Sequence, residues 1–112
     1  LHELRDSLRL FAAERDWDQF HSPRNLATAL AVEAAELLEP FQWLGESVGS
    51  ELPSIARAAV EEEMADVLLY LVRLADKLDV DLVEAARTKM ARNAEKYPVE
   101  KSRGSSRKYD EL

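Results

Sequence analysis

Two pairs of acids occupy the positions of this sequence that could do chemistry, Glu33-x-x-Glu36 and Glu63-x-x-Asp66. A spacing of three puts both members of a pair on one helix surface, where like charges repel and gain nothing for the helix. Neither pair lies on a purely polar face. Glu33 falls inside the stripe of Leu26, Leu30 and Leu37, with Glu36 one step to the side. Glu63 and Asp66 belong to a single polar arc, with Glu62, Tyr70 and Arg73, in an otherwise apolar stretch. An acid in an apolar stripe is costly unless it is paired, protonated or metal-bound. Two helices returning antiparallel could bring the four carboxylates together, as bundles do when they build metal sites. An all-oxygen donor set favours Mg²⁺, with Mn²⁺ as a substitute. The alternative is a solvated charged face that holds nothing. Neither His2 nor His21 follows a helical Glu at the spacing used by di-iron bundles. Four carboxylates outweigh one dication, so a phosphate-bearing ligand implies more than one metal ion.

Cations and aromatics complete the set of candidates. Lys89, Asn93 and Lys96 recur on one helical face, and Arg107 and Lys108 follow near the end of the sequence. They read either as a phosphate clamp, with lysine as a point charge beside an amide donor, or as cations complementing a helix C-terminus. Trp17, His21 and Trp43 lie in connectors beside the acidic helices, where they can pack in a core or interface or stack on a planar ligand.

Four helices are expected to position these groups. Leu4, Leu8, Phe11 and Ala12 are spaced as one face of a first helix, about 1–15. Ser22-Pro23, an N-cap followed by proline at the first helical position, opens a second over about 23–39. Pro40 ends it, Phe41-Gln42-Trp43-Leu44 forms a short aromatic element, and Gly45 to Ser50 is loop-like. Pro53 restarts helix over about 54–78. There Val60, Met64, Val67, Leu71, Leu74 and Leu78 share one face while Ala65, Leu69 and Val72 cover another, so this helix is expected to be buried on most sides. Asp79 and Asp81 offer caps for a fourth helix, about 81–96, with Leu82, Val83, Ala86, Met90 and Ala94 inward, and Pro98 closes it. The expected organisation is an all-α domain over 1–98, a four-helix bundle, followed by a polar basic tail over 99–112 that substrate or a neighbouring subunit would order.

Composition bounds the function. The sequence of 112 residues is 46% hydrophobic and 33% charged with three Gly and four Pro, which suits one helical domain and argues against disorder. A net charge of −7 argues against a nucleic-acid groove, which needs a basic surface. Without cysteine there are no disulfides, thiol nucleophiles or Cys-rich zinc sites, and a cytoplasmic location is the expectation. No apolar run approaches the roughly 20 residues of a membrane span and no secretory leader is legible, although a start at Leu1 leaves room for a longer native chain.

Glu33-Ala-Ala-Glu36 with Phe41-Gln42-Trp43, then Glu62-Glu63-Met64-Ala65-Asp66-Val67-Leu68-Leu69-Tyr70, then Lys89-Met90 with Asn93 and Tyr97-Pro98, resembles the all-α nucleoside triphosphate pyrophosphohydrolases, the MazG-like proteins. The opening Phe11 to Asn25 and the closing Ser105 to Leu112 look most like their dCTP pyrophosphatase branch, and the likeness covers nearly the whole sequence. Ala91-Arg92 and Ala94-Glu95-Lys96 depart from the more basic run of that branch, which bears on substrate preference. The resemblance implies hydrolysis of a nucleoside triphosphate, dCTP or a modified dCTP, to the monophosphate and pyrophosphate, in the service of nucleotide-pool cleaning. It implies Glu33, Glu36, Glu63 and Asp66 as Mg²⁺ ligands, and Lys89, Asn93, Lys96 and Arg107 on the phosphates. Trp17, His21 and Trp43 would line the base pocket, with Tyr70 against the sugar. Glu33 is the candidate general base, because its place in the leucine stripe should raise its pKa. A homotetramer, a dimer of dimers, is implied as well. The rivals are another substrate within the same superfamily (dUTP, a damaged nucleotide or phosphoribosyl-ATP) and a non-enzymatic helical adaptor.

Overall fold

Local signals in the sequence are realised as helices in a computed structural model that describes residues 1–42, 44 and 52–104. These residues form α1 (His2–Glu14), α2 (Pro23–Leu38), α3 (Ser54–Lys77), α4 (Leu82–Lys96) and the single-turn α5 (Val99–Ser102), with 3-10 turns at Asp18–Phe20 and Glu39–Phe41. Among the described residues there is no strand, and no helix is long and apolar enough to cross a membrane. The class is all-α, as the periodicity predicts. Trp43, the stretch expected as a loop from Gly45, and the end of the tail with Arg107 lie outside the described residues.

The chain divides into two units, Leu1–Asp79 and Val80–Leu112. The boundary expected after residue 98 coincides with the start of α5 at Val99.

In the first unit, α3 packs against both α2 and α1. Helix α1 ends with Asp16 in the left-handed region at φ 54°. The Asp16 amide donates to Ala13 O (3.2 Å) and the Trp17 amide reaches back to Ala12 O (2.9 Å). This C-terminal turn folds the Trp17 ring back onto Phe11 of α1, with centroids 5.6 Å apart and planes at 66°. The motif usually carries glycine where Asp16 stands; a short polar side chain is among the few others that tolerate the conformation. Helix α2 starts as the sequence predicts: Ser22 Oγ accepts from the Asn25 amide (3.1 Å), and Pro23 fills the first position, where a missing N–H costs nothing.

Helices α2 and α3 run antiparallel. His21, just ahead of α2, bonds to Arg73 near the end of α3, whereas Glu33 and Glu36, further along α2, meet Glu63 much earlier on α3. Their shared core contains Leu26 at 1% exposure, with Val60, Val72 and Ala75, and Ala12 contributed by α1. Arg9 of α1 adds a two-pronged ion pair to Asp76 of α3, Nε to Oδ2 at 2.7 Å and Nη2 to Oδ1 at 2.5 Å.

One expectation fails within the single chain: α3 is not buried on most sides. Met64 and Leu68, four residues apart on one face, are 57% and 40% exposed. Among the described residues α3 packs chiefly against α1 and α2, and hydrophobic periodicity says that a face is apolar without saying what covers it. In the second unit, Asp81 Oδ1 caps α4 by accepting from the Glu84 amide (3.1 Å). The stripe expected to face inward is likewise open, with Val83 and Met90 exposed.

Candidate functional site

The central part of the first unit gathers acids that gain nothing from one another. Glu33 and Glu36 project from successive turns of α2, and Glu63 projects towards them from α3. One carboxylate oxygen of each lies within 4.8 Å of the other two. All three residues are half-buried. Oε2 of Glu33 and Oε2 of Glu63 are withdrawn from solvent with no hydrogen-bond partner. A buried, unpartnered carboxylate oxygen is destabilising, and three acids at this range repel. Burial, then shared hydrogen bonding with the Glu36 and Glu63 carboxyls, then the negative charges of Glu36 and Asp66, push the Glu33 carboxyl up to about 7. A proton can hold the cluster together; so can a hard divalent cation, for which hard oxygen donors with spare lone pairs are the right chemistry. The residues present therefore fit a Mg²⁺ or Mn²⁺ site on the criterion of these orphaned oxygens.

Asp66 stands apart from this trio. It lies one turn further along α3 and acts on Glu33 through its charge, while its side chain lines a neighbouring cleft of about 160 Å³. That cleft lies between α1 and α3. Leu8, Phe11 and Ala12 come from α1, Trp17 and His21 from the connector, and Leu69, Tyr70 and Arg73 from α3. It is mostly apolar and aromatic, with a few polar groups at defined points, the usual make-up of a small-molecule site. Arg15 backs the aromatic wall, its guanidinium carbon 3.6 Å from the centroid of Phe11 while Nη1 donates to Phe11 O (3.1 Å). Asp66 thus sits where the acid cluster and the aromatic cleft adjoin.

Of the residues singled out from sequence, Glu33, Glu36 and Glu63 form the carboxylate trio, and Trp17, His21, Tyr70 and Asp66 line the cleft. Lys89, Asn93 and Lys96 are carried by α4 in the second unit, on its exposed surface. Trp43 and Arg107 lie outside the described residues.

Sequence reasoning overlooked Arg73. Placed only on a polar arc, it is 6% exposed and forms the hub of a charged network. Its Nη2 pairs with Asp18 Oδ1, its Nη1 reaches Asp76 Oδ2 at 3.5 Å, and its Nε donates to His21 Nδ1 at 3.2 Å. Lys77 Nζ joins at Asp18 Oδ1 (2.6 Å). The Lys77 bond holds the Asp18 carboxyl below its usual range, and the Arg9 bond does the same for Asp76. Burial, then the charge of Arg73, lowers the His21 pKa. A signal was present: an arginine in the apolar part of a helix needs acids nearby, and Asp76 follows three residues later.

The MazG-like family model matches residues 28–112, which take in both acid pairs. Proteins named dCTP pyrophosphatase 1 from Mus musculus and Homo sapiens are each 50% identical over 114 aligned residues, spanning all of this chain and 67% of each relative. A crystal structure of a pyrophosphatase from Archaeoglobus fulgidus is 45% identical with a TM-score of 0.80, covering 87% of this chain and 91% of that one.

Proposed function

The chain belongs to the MazG-like family, and on that premise we propose that it is a Mg²⁺-dependent nucleoside triphosphate pyrophosphohydrolase acting on dCTP or a modified dCTP. The observation that carries the reading is the convergence of Glu33, Glu36 and Glu63, two of them with an orphaned buried oxygen, beside an aromatic cleft of nucleobase character. The relatives named dCTP pyrophosphatase 1 support the substrate class.

Water attacks the α-phosphorus, a new P–O bond forms, and the bond to the bridging oxygen breaks, releasing pyrophosphate and leaving the monophosphate. Glu33, Glu36, Glu63 and Asp66 would hold Mg²⁺, more than one ion once the triphosphate is present, and the bound cations would offset the charge of the carboxylates and the phosphates. Glu33, the acid set within the leucine stripe of α2, would take the proton of the attacking water at a carboxylate oxygen. Trp17 and His21 receive the base and Tyr70 packs against the sugar; the family resemblance would add Trp43, which lies outside the described residues. The family resemblance, and not the geometry, would add Lys89, Asn93, Lys96 and Arg107 as donors to the phosphates. The uncovered apolar residues Met64 and Leu68 of α3, and Met90 of α4, support self-association into a dimer of dimers. A cytoplasmic setting and a role in clearing the nucleotide pool suit a cysteine-free chain of this kind.

Pyrophosphate release over a panel of dCTP, 5-modified dCTP, dUTP, other triphosphates and phosphoribosyl-ATP, with and without Mg²⁺, tests this. Cytidine nucleotides should lead, and Glu33→Gln should abolish turnover while keeping part of the nucleotide affinity. Turnover near wild type in Glu33→Gln would remove Glu33 from the mechanism. No Mg²⁺-dependent turnover of any substrate would leave a helical adaptor.

A further inference from the structure

A histidine in a binding cleft presents different chemistry in each tautomer, and here the surrounding chain has already chosen. The Arg73 Nε–H points at His21 Nδ1 from 3.2 Å. Arginine carries five N–H donors and no acceptor, so Nδ1 must supply a lone pair. The ring proton then resides on Nε2, across the imidazole from Arg73. No described residue accepts from Nε2, and this nitrogen is not among the unpartnered side-chain atoms sealed from solvent. His21 nevertheless lines the cleft with Trp17, Tyr70 and Asp66. We propose that Arg73 is a positioning residue that locks His21 as a neutral Nε2–H donor, so that the cleft selects ligands offering an acceptor, a carbonyl oxygen or an unprotonated ring nitrogen on a planar heterocycle. The choice of ligand class rests on the pyrophosphohydrolase reading; the tautomer does not.

Arg73 is itself held in place. Asp18 engages Nη2 and Asp76 engages Nη1, so the guanidinium plane is fixed at both ends and Nε has one direction left. Its positive charge also disfavours a second proton on His21, against the opposing pull of Asp18. A lysine cannot serve three partners in this fork geometry. Removing Arg73 leaves neither carboxylate alone, because Asp76 keeps its two bonds from Arg9 and Asp18 keeps Lys77. The Arg73→Met variant is therefore expected to fold.

With two histidines in the chain, the ring ¹⁵N spectrum of the full protein at neutral pH is simple, and a His2→Asn variant assigns it. Wild-type His21 should show a protonated Nε2 and a bare Nδ1. Arg73→Met should give a mixture of tautomers and a higher His21 pKa. Arg73→Gln, which keeps a neutral N–H donor, should restore the wild-type pattern. In turnover assays with dCTP, Arg73→Met should raise KM about tenfold, the equivalent of one hydrogen bond of about 1.4 kcal/mol, with a much smaller change in kcat, and Arg73→Gln should recover most of it. A wild-type His21 protonated at Nδ1, or an Arg73→Met spectrum identical to wild type, overturns the proposal, and the wild-type spectrum decides even if the variant misfolds. A correct tautomer in a protein that hydrolyses no triphosphate would sink the enzymatic reading alone.

Discussion

Glu33 carries the heaviest load of any single residue, because in the metal-free protein its charge has nowhere favourable to go. Its folded pKa of about 7 lies above its ordinary value of 4.5. Its contribution is therefore fully present below that ordinary value and is lost as pH rises through 7. His21 works in the opposite sense: its folded pKa is lowered, so its contribution is present above 6.5 and lost as pH falls. Comparing wild type with Glu33→Gln separates the two. In the presence of a chelator, wild type should melt progressively lower than Glu33→Gln between about pH 5 and pH 8; a gap that is flat or reversed would contradict the buried-acid reading. Because a cation binds the ionised carboxyl, Mg²⁺ affinity should climb over the same window. The acid pairs were legible from spacing and from Glu33 intruding on a leucine stripe. The separation of Asp66 from the trio was not, since a shared helix face does not say which neighbour each side chain meets.

At the scale of elements, the start of α2 sets where Glu33 and Glu36 stand. Ser22→Ala removes the acceptor for the Asn25 amide and should cost about 1 kcal/mol. Leu26→Ala, at the most completely buried side chain of that helix, should cost about 2–5 kcal/mol. Chemical denaturation measures both, and a Leu26→Ala cost below that of Ser22→Ala would mean the α2–α3 seam is not the main support of the site. Caps and breaks were readable because their chemistry is local: Ser22-Pro23, Pro40, Asp81 and Pro98 each act within a turn of where they stand. The cleft was only partly readable. Trp17 and His21 stand out as connector aromatics, but Phe11 and Leu8 read only as one face of a first helix, and the ion pair of Arg73 comes from Asp18, 55 residues away in sequence.

For the molecule as a whole, the proposed self-association would cover the exposed apolar residues Met64 and Leu68 of α3. Wild type should sediment as more than one chain, and Met64→Lys with Leu68→Lys should shift it to a smaller species; a wild type that sediments as one chain would contradict the assembly. The central claim is that acids of α2 and α3 form one cation site serving a nucleotide in the adjoining cleft. Its most direct measurement is the melting temperature with Mg²⁺ and a non-hydrolysable dCTP analogue. Ligand at about a hundred times its Kd should stabilise the native state by about 2.7 kcal/mol, and Glu36→Gln with Glu63→Gln should erase the rise. No rise in wild type, or an equal rise in the double variant, would contradict the account.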